Sequence, residues 1–184
     1  MPRKRAPGST KKTGTTKGRT VPRDLEAAKA VSAAVHLQDV LINTFSASAA
    51  PRALSAAERS FDQRIRYRVD HNAARRSPLV VSVSMAYEAD LEGATVVQIE
   101  VQAVALYAFT PGSVSWSADQ LDQFAHLNGP YTSWPYLREF ISSAAARLRL
   151  PRLMLPLWRP PSTITIGGEY RLEASAIHRG ALAE

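Results

Sequence analysis

The residues of this 184-residue chain best placed for acid–base chemistry are Asp119, Asp122 and His126, spaced so that a helix would bring them to one face. A carboxylate that orients a histidine is the arrangement of a general base. The helix dipole accounts for the same residues without catalysis, because acids suit a first turn and a histidine suits the end of a helix. Ser142 and Ser143 have no base near them in sequence and fit an ordinary helix surface. The remaining histidines, His36, His71 and His178, are scattered. The chain has no Gly-rich phosphate loop, G-x-S-x-G, H-E-x-x-H or EF-hand loop. With no cysteine, disulfides, zinc–thiolate sites and cysteine nucleophiles are excluded. These residues do not read as an enzyme, and they call for no metal and no cofactor.

A second chemistry is recognition of phosphate. Arg64, Arg66 and Arg68 alternate along one stretch, and on a strand they would stand about 7 Å apart on one face. Such a row could track a nucleic-acid backbone. No stacking aromatic shares that face, so a solvated polar surface is the simpler reading. The net charge of +7 does not change this, because it belongs to one end. Residues 1–23 hold eight basic side chains and no acid, whereas the remaining 161 residues hold 15 basic and 16 acidic ones. Residues 1–23 also carry almost no large apolar side chain. The expectation is a disordered basic tail, either a solubilising arm or a nonspecific contact for RNA, DNA or an acidic partner. No apolar run approaches the roughly 20 residues that span a bilayer. The expectation is a soluble cytoplasmic protein without membrane insertion.

The elements that would position these residues follow from periodicity. Asp24 suits a helix N-cap, and the alanines after it favour a short helix to about Ala34. An extended segment, 35–45, follows, but its faces do not separate cleanly: Val40 and Ile42 oppose Leu37 and Leu41. Phe61–Asp70, Leu79–Glu88 and Val97–Phe109 alternate apolar and polar residues, as antiparallel strands with one buried face do. Glu92-Gly93 falls in the link between the last two and reads as a hairpin turn. Ser117 and Gln120 have capping-box spacing before a short helix, 118–127, which Asn128-Gly129-Pro130 is expected to stop. Pro135 suits the first turn of a second helix. Leu137, Phe140, Ile141, Ala144, Ala145 and Leu148 lie along one stripe of it, and Pro151 ends it. The predicted class is α+β: a four-stranded antiparallel sheet with two helices packed on one face. The predicted domain covers 24–160, and the structure of the extension 161–184 is left open.

Residues 128–158 narrow this further. Trp134, Pro135, Tyr136, Arg138 and Glu139 open the second helix, and Pro151, Leu153 and Leu155 follow its end. This pattern resembles the SecB chaperone family, strongly over 128–158 and by element order from Val35 to Trp158. The resemblance implies an ATP-independent holdase, a homotetramer with helices buried between dimers, and apolar grooves that take unfolded client chains. An unfolded segment offers apolar side chains and unpaired backbone, and an exposed apolar groove is the site it needs. The client-contacting residues implied are Val40, Ile42, Tyr136, Leu153, Leu155, Leu157 and Trp158, each of which would serve equally as core or subunit interface.

The chain departs from the family at the wetted sheet face, which in export-type members is acidic and docks the motor SecA. Glu100 fits one acidic position. Thr44 and Ser48 stand where acids are expected, and Arg64, Arg66 and Arg68 reverse the local sign, which argues against SecA docking. Residues 161–184 also do not resemble the family's C-terminal helix. A branch of the family shields an aggregation-prone antitoxin, and this chain resembles that branch at least as well. The expected partner is therefore an antitoxin or an export-bound preprotein. The competing function is a nucleic-acid-binding protein using residues 1–23 and the arginine strand, recognisable by salt-sensitive RNA or DNA binding that is lost with the tail.

Overall fold

The computed structural model describes residues 18–54, 61–72, 78–112, 115–150 and 155–172. Its elements in chain order are β1 (Arg19–Pro22), α1 (Leu25–Ser32), β2 (Val35–Ala49), α2 (Pro51–Leu54), β3 (Asp62–His71), β4 (Leu79–Leu91), β5 (Ala94–Phe109), α3 (Ala118–Arg147), β6 (Thr163–Ile166) and β7 (Tyr170–Leu172). The class is α+β, with antiparallel pairing throughout. The main sheet has five strands in the order β2-β5-β4-β3-β7, one more than the four predicted. The additional strand comes from the C-terminal extension, where Tyr170–Leu172 pairs with Ile65–Tyr67 at the edge of β3. A two-stranded ribbon joins β1 to β6, so residues 19–22, which composition assigns to the tail, are paired with residues 163–166.

The ambiguous faces of β2 are resolved by its pairing. Irregularities in the register between Leu37 and Asp39, and between Ile42 and Thr44, each add one residue to β2 relative to β5. Each bulge reverses the alternation of sides. Val35 and Leu37 therefore share the helix-facing side with Val40 and Ile42, and then with Phe45, Ala47 and Ala49. Leu41 is left on the opposite face. The β4–β5 turn places Glu92 (φ 54°) and Gly93 (φ 78°) in the left-handed region, as a two-residue type I′ hairpin requires.

The caps read from sequence are present. The Asp24 carboxylate accepts from the Ala27 amide at 3.0 Å, and Ser117 and Gln120 form a capping box at the start of α3. The two predicted helices on one face are instead a single 30-residue helix running through Pro130 and Pro135. Each proline forgoes one intrahelical hydrogen bond, at a cost of about 3 kcal/mol in an isolated helix. Burial outweighs that local cost: Leu121, Phe124, Trp134, Leu137 and Ile141 all pack into the core between α3 and the sheet.

Gly129, expected to end the first helix, lies where α3 passes close against the sheet. A Cβ added there would lie 2.5 Å from Val81 Cγ1, on a side chain with no exposed surface. A Gly129→Ala substitution improves helix propensity by about 1 kcal/mol but overpacks this contact. The expected net effect is destabilisation by about 1–2 kcal/mol, read as a lower urea midpoint with an unchanged slope. An unchanged or raised midpoint would show that the helix does not rest on the sheet at this glycine.

Candidate functional site

Helix α3 covers the middle of the sheet and leaves two flanks that differ sharply. On the β2 flank an apolar strip is open. Leu37 and Phe45 are 46 % and 45 % exposed, and Val40 and Ile42 between them are half-buried. The strip is bounded by two contacts from the helix. The Phe140 ring meets Phe45 edge-on at 5.0 Å between centroids, and Thr132 Oγ1 accepts from the Tyr107 hydroxyl at 3.0 Å. Tyr107 is the cross-strand partner of Leu37. Tyr136 lies between Thr132 and Phe140 on the same i, i+4 row and is 46 % exposed. The strip thus runs alongside β5 from Tyr107 to Val101, about 20 Å at strand rise. Strand β2 is also an edge strand of 15 residues with no lysine or proline, so apart from its bulges it carries few of the features that usually blunt a free edge.

On the β3 flank the equivalent space is filled by the chain itself. Leu155 is 2 % exposed and belongs to the core. The Trp134 indole donates to the Pro156 carbonyl at 2.8 Å, and the Trp158 indole donates to the Tyr67 hydroxyl at 3.2 Å. Tyr67 also stacks on Tyr170 with centroids 4.6 Å apart and meets Trp134 edge-on at 5.6 Å. Burial pushes the Tyr67 phenol well above its ordinary range, so it is a neutral hydroxyl near neutral pH.

The sequence-predicted client residues are therefore divided. Val40, Ile42 and Tyr136 line the open strip, and Leu155 and Trp158 pack on the far flank. Leu157 projects outward, 73 % exposed. Pro151 and Leu153 lie outside the described residues. Within the motif, Trp134 supplies the indole that bonds the Pro156 carbonyl, Pro135 is exposed inside the helix, Arg138 is half-buried and Glu139 is exposed. Leu37 and Phe45 escaped the sequence reading because the two bulges hide their common side. Their only signal was that segment 35–45 stayed apolar on both parities.

The arginines do not form a free cationic row. Arg64 pairs with Asp90 at 2.8 Å and Glu88 at 3.5 Å. Arg66 bonds Glu88 and approaches Glu169 at 3.6 Å, and Arg68 pairs with Asp70 at 2.8 Å. Glu100 accepts from Gln98 at 2.9 Å on the same outer face, two strands away. Among the described residues no group of three His, Asp or Glu side chains is arranged to hold a metal ion, and no helix is long and apolar enough to cross a membrane.

The acid–base candidates are also separated. Asp122 bonds His71 Nε2 at 2.8 Å, not His126, and Asp119 pairs with Arg19 at 3.0 Å. His126 lies in mid-helix, 2 % exposed, with Nδ1 2.8 Å from the Tyr170 hydroxyl. The Thr165 amide donates to that same oxygen at 2.8 Å. The phenol hydrogen is therefore free to donate to His126 Nδ1, which requires the neutral ring. Burial lowers the His126 pKa to about 4, and His71 pushes it the same way, against the pull of Asp122 and Asp70. The arrangement is a latch between α3, β6 and β7.

The sheet and its covering helix have the fold of a SecB-like chaperone of known structure. Among solved structures the chain is similar to the SecB-like chaperone Rv1957 of Mycobacterium tuberculosis, in complex with a ChAD peptide from the HigA1 antitoxin, with a TM-score of 0.64 and 20 % identity over 72 % of this chain and 97 % of that one. The resemblance read from Trp134–Glu139 thus holds at the level of fold. A protein of unknown function from Streptococcus agalactiae aligns with a TM-score of 0.35 and 8 % identity over 67 % of this chain and 97 % of that one. No protein-family model and no curated protein matches the chain.

The latch predicts a pH dependence. A histidine held neutral in the fold contributes stability that is fully present above its unfolded pKa near 6.5 and is lost as pH falls from there through about 4. Urea midpoints should therefore fall between these limits, and His126→Gln should flatten that fall. An equal fall in the variant would place the titrating group elsewhere.

Proposed function

We propose that this chain is an ATP-independent holdase that binds extended apolar segments of an unfolded client along the strip between β2 and α3. The observation that supports this most directly is the row Leu37, Val40, Ile42, Phe45 and Tyr136, an apolar surface about 20 Å long that no other described part of the chain covers. At strand rise this length matches about six client residues, whose alternate side chains would point into the strip. The client chemistry is an aggregation-prone chain, an antitoxin or a preprotein. The antitoxin peptide bound by the structural neighbour favours the former. A cytoplasmic homotetramer is the assembly and location that go with this reading.

The nucleic-acid alternative is weaker. Each of Arg64, Arg66 and Arg68 has a carboxylate partner, so the outer face presents little uncompensated positive charge to a phosphate backbone. Binding by residues 1–17 rests on their basic composition alone.

The test is suppression of light scattering when a chemically unfolded protein is diluted into buffer without ATP. The wild-type chain should suppress aggregation near stoichiometric ratios. Leu37→Asp and Phe45→Asp should raise the amount required at least tenfold while keeping the wild-type circular dichroism. Equal suppression by both variants would remove the strip from the mechanism. No suppression of several clients at severalfold excess would remove the holdase activity itself.

A further inference from the structure

Strand β7 adds an arginine where the sheet already carries one. The register sets Arg171 directly across from Arg66 on the outer face, with Arg64 two residues along the same side of β3. Like charges directly opposite each other on antiparallel strands are destabilising. Glu88 and Glu169 answer Arg66, and Glu88 and Asp90 answer Arg64. Arg171 is exposed, and among the described residues no carboxylate pairs with it. The three arginines and Glu88 line a cleft of about 280 Å3 together with Ile65 and Leu172. A local rule broken without a compensating contact points to a role other than stability.

The same strand is an edge of the main sheet. Tyr170–Leu172 pairs with β3 on one side, and among the described residues its other side has no backbone partner. An extended segment added there would send alternate side chains to the two faces of the sheet. Those on the outer face would meet Arg171, and those on the inner face the half-buried Tyr170 and Leu172. One guanidinium without a partner suits a single carboxylate. A nucleic-acid backbone suits it less, because Glu88, Asp90 and Glu169 would stand against its successive phosphates. We propose that the free edge of β7 docks an extended acidic segment of a partner protein, which adds a strand to the sheet and sets a carboxylate between Arg171 and Arg66. The site is on the opposite edge of the sheet from the β2 strip and does not rest on the holdase reading.

The experiment uses the full chain and a fluorescein-labelled peptide in which Val-Glu is repeated four times, followed by anisotropy at low salt. Arg171→Ala should weaken binding about tenfold, as loss of a charge-assisted hydrogen bond does. The urea midpoint of that variant should stay level or rise, because the like-charge pair is relieved. Phe45→Asp should bind the peptide as wild type does. A peptide with glutamine in place of glutamate should bind at least tenfold more weakly. Equal binding by wild type and Arg171→Ala, or by the glutamate and glutamine peptides, would overturn the site. A lower midpoint for Arg171→Ala would make Arg171 a support of the fold, and the proposal falls. It falls also if a peptide of the same composition with its valines and glutamates in two blocks binds equally well, since bulk charge would then suffice. Displacement of the peptide by oligothymidylate would give the cleft to nucleic acid instead of protein. No binding by wild type up to about 1 mM, the weak end of peptide recognition, would leave β7 an ordinary edge.

Discussion

A single α-helix with its side chains is about 10–12 Å across, while five paired strands span about 19 Å. One helix held against this sheet therefore cannot cover it, and the remaining features of the molecule answer to that mismatch. Gly129 fixes where the helix lies, because only a residue without Cβ lets α3 settle against Val81. Helix α1 packs against α3, not over β2. The β3 side is completed by Leu155–Trp158 and by Tyr170, which brings a ring and a fifth strand together. Among the described residues, the β2 side receives from α3 only the row Thr132, Tyr136 and Phe140, and its apolar residues stay half in water.

Much of this was readable from local pattern. The three strands with strict alternation, the hairpin at Glu92-Gly93, the Asp24 cap and the Ser117–Gln120 capping box are all set by interactions within a few residues, and they form as expected. The failures in the long elements share one cause, which is that long-range packing overrode a local signal. Asn128-Gly129-Pro130 carries every mark of a helix stop, yet the helix continues because ending it would remove Trp134, Leu137 and Ile141 from the core. The β2 faces could not be assigned because the bulges are imposed by the partner strand. Strand β7 was missed because three residues have no periodicity; its pairing with Ile65–Tyr67 and the Tyr170 ring stacked on Tyr67 give that segment its place.

The candidate site was legible to the same degree. Val40, Ile42 and Tyr136 were found through the family resemblance, and they lie on the open flank. Leu155 and Trp158 came from the same motif and lie on the filled one. Apolar character alone could not separate them, since a core plug and a client contact use the same side chains. The arginine row illustrates the opposite problem. Arg68 is paired within its own strand by Asp70, but Arg64 and Arg66 looked unopposed there, whereas their partners Glu88 and Asp90 come from the next strand and Glu169 from beyond the helix. Charge on a sheet is decided across strands, where sequence spacing is silent.

The pairing of Arg19–Pro22 with Thr163–Ile166 has a consequence for how the protein is made. The first strand leaves the ribosome some 140 residues before its partner. At elongation rates of about 5–20 residues per second, β1 waits roughly 7–28 s unpaired. Gln123 can hold it for part of that interval, because its side chain bonds both the Asp24 amide and the Pro22 carbonyl at 2.9 Å. The ribbon itself closes only after synthesis has passed residue 166. Completion of this fold is therefore a late event in the life of the nascent chain.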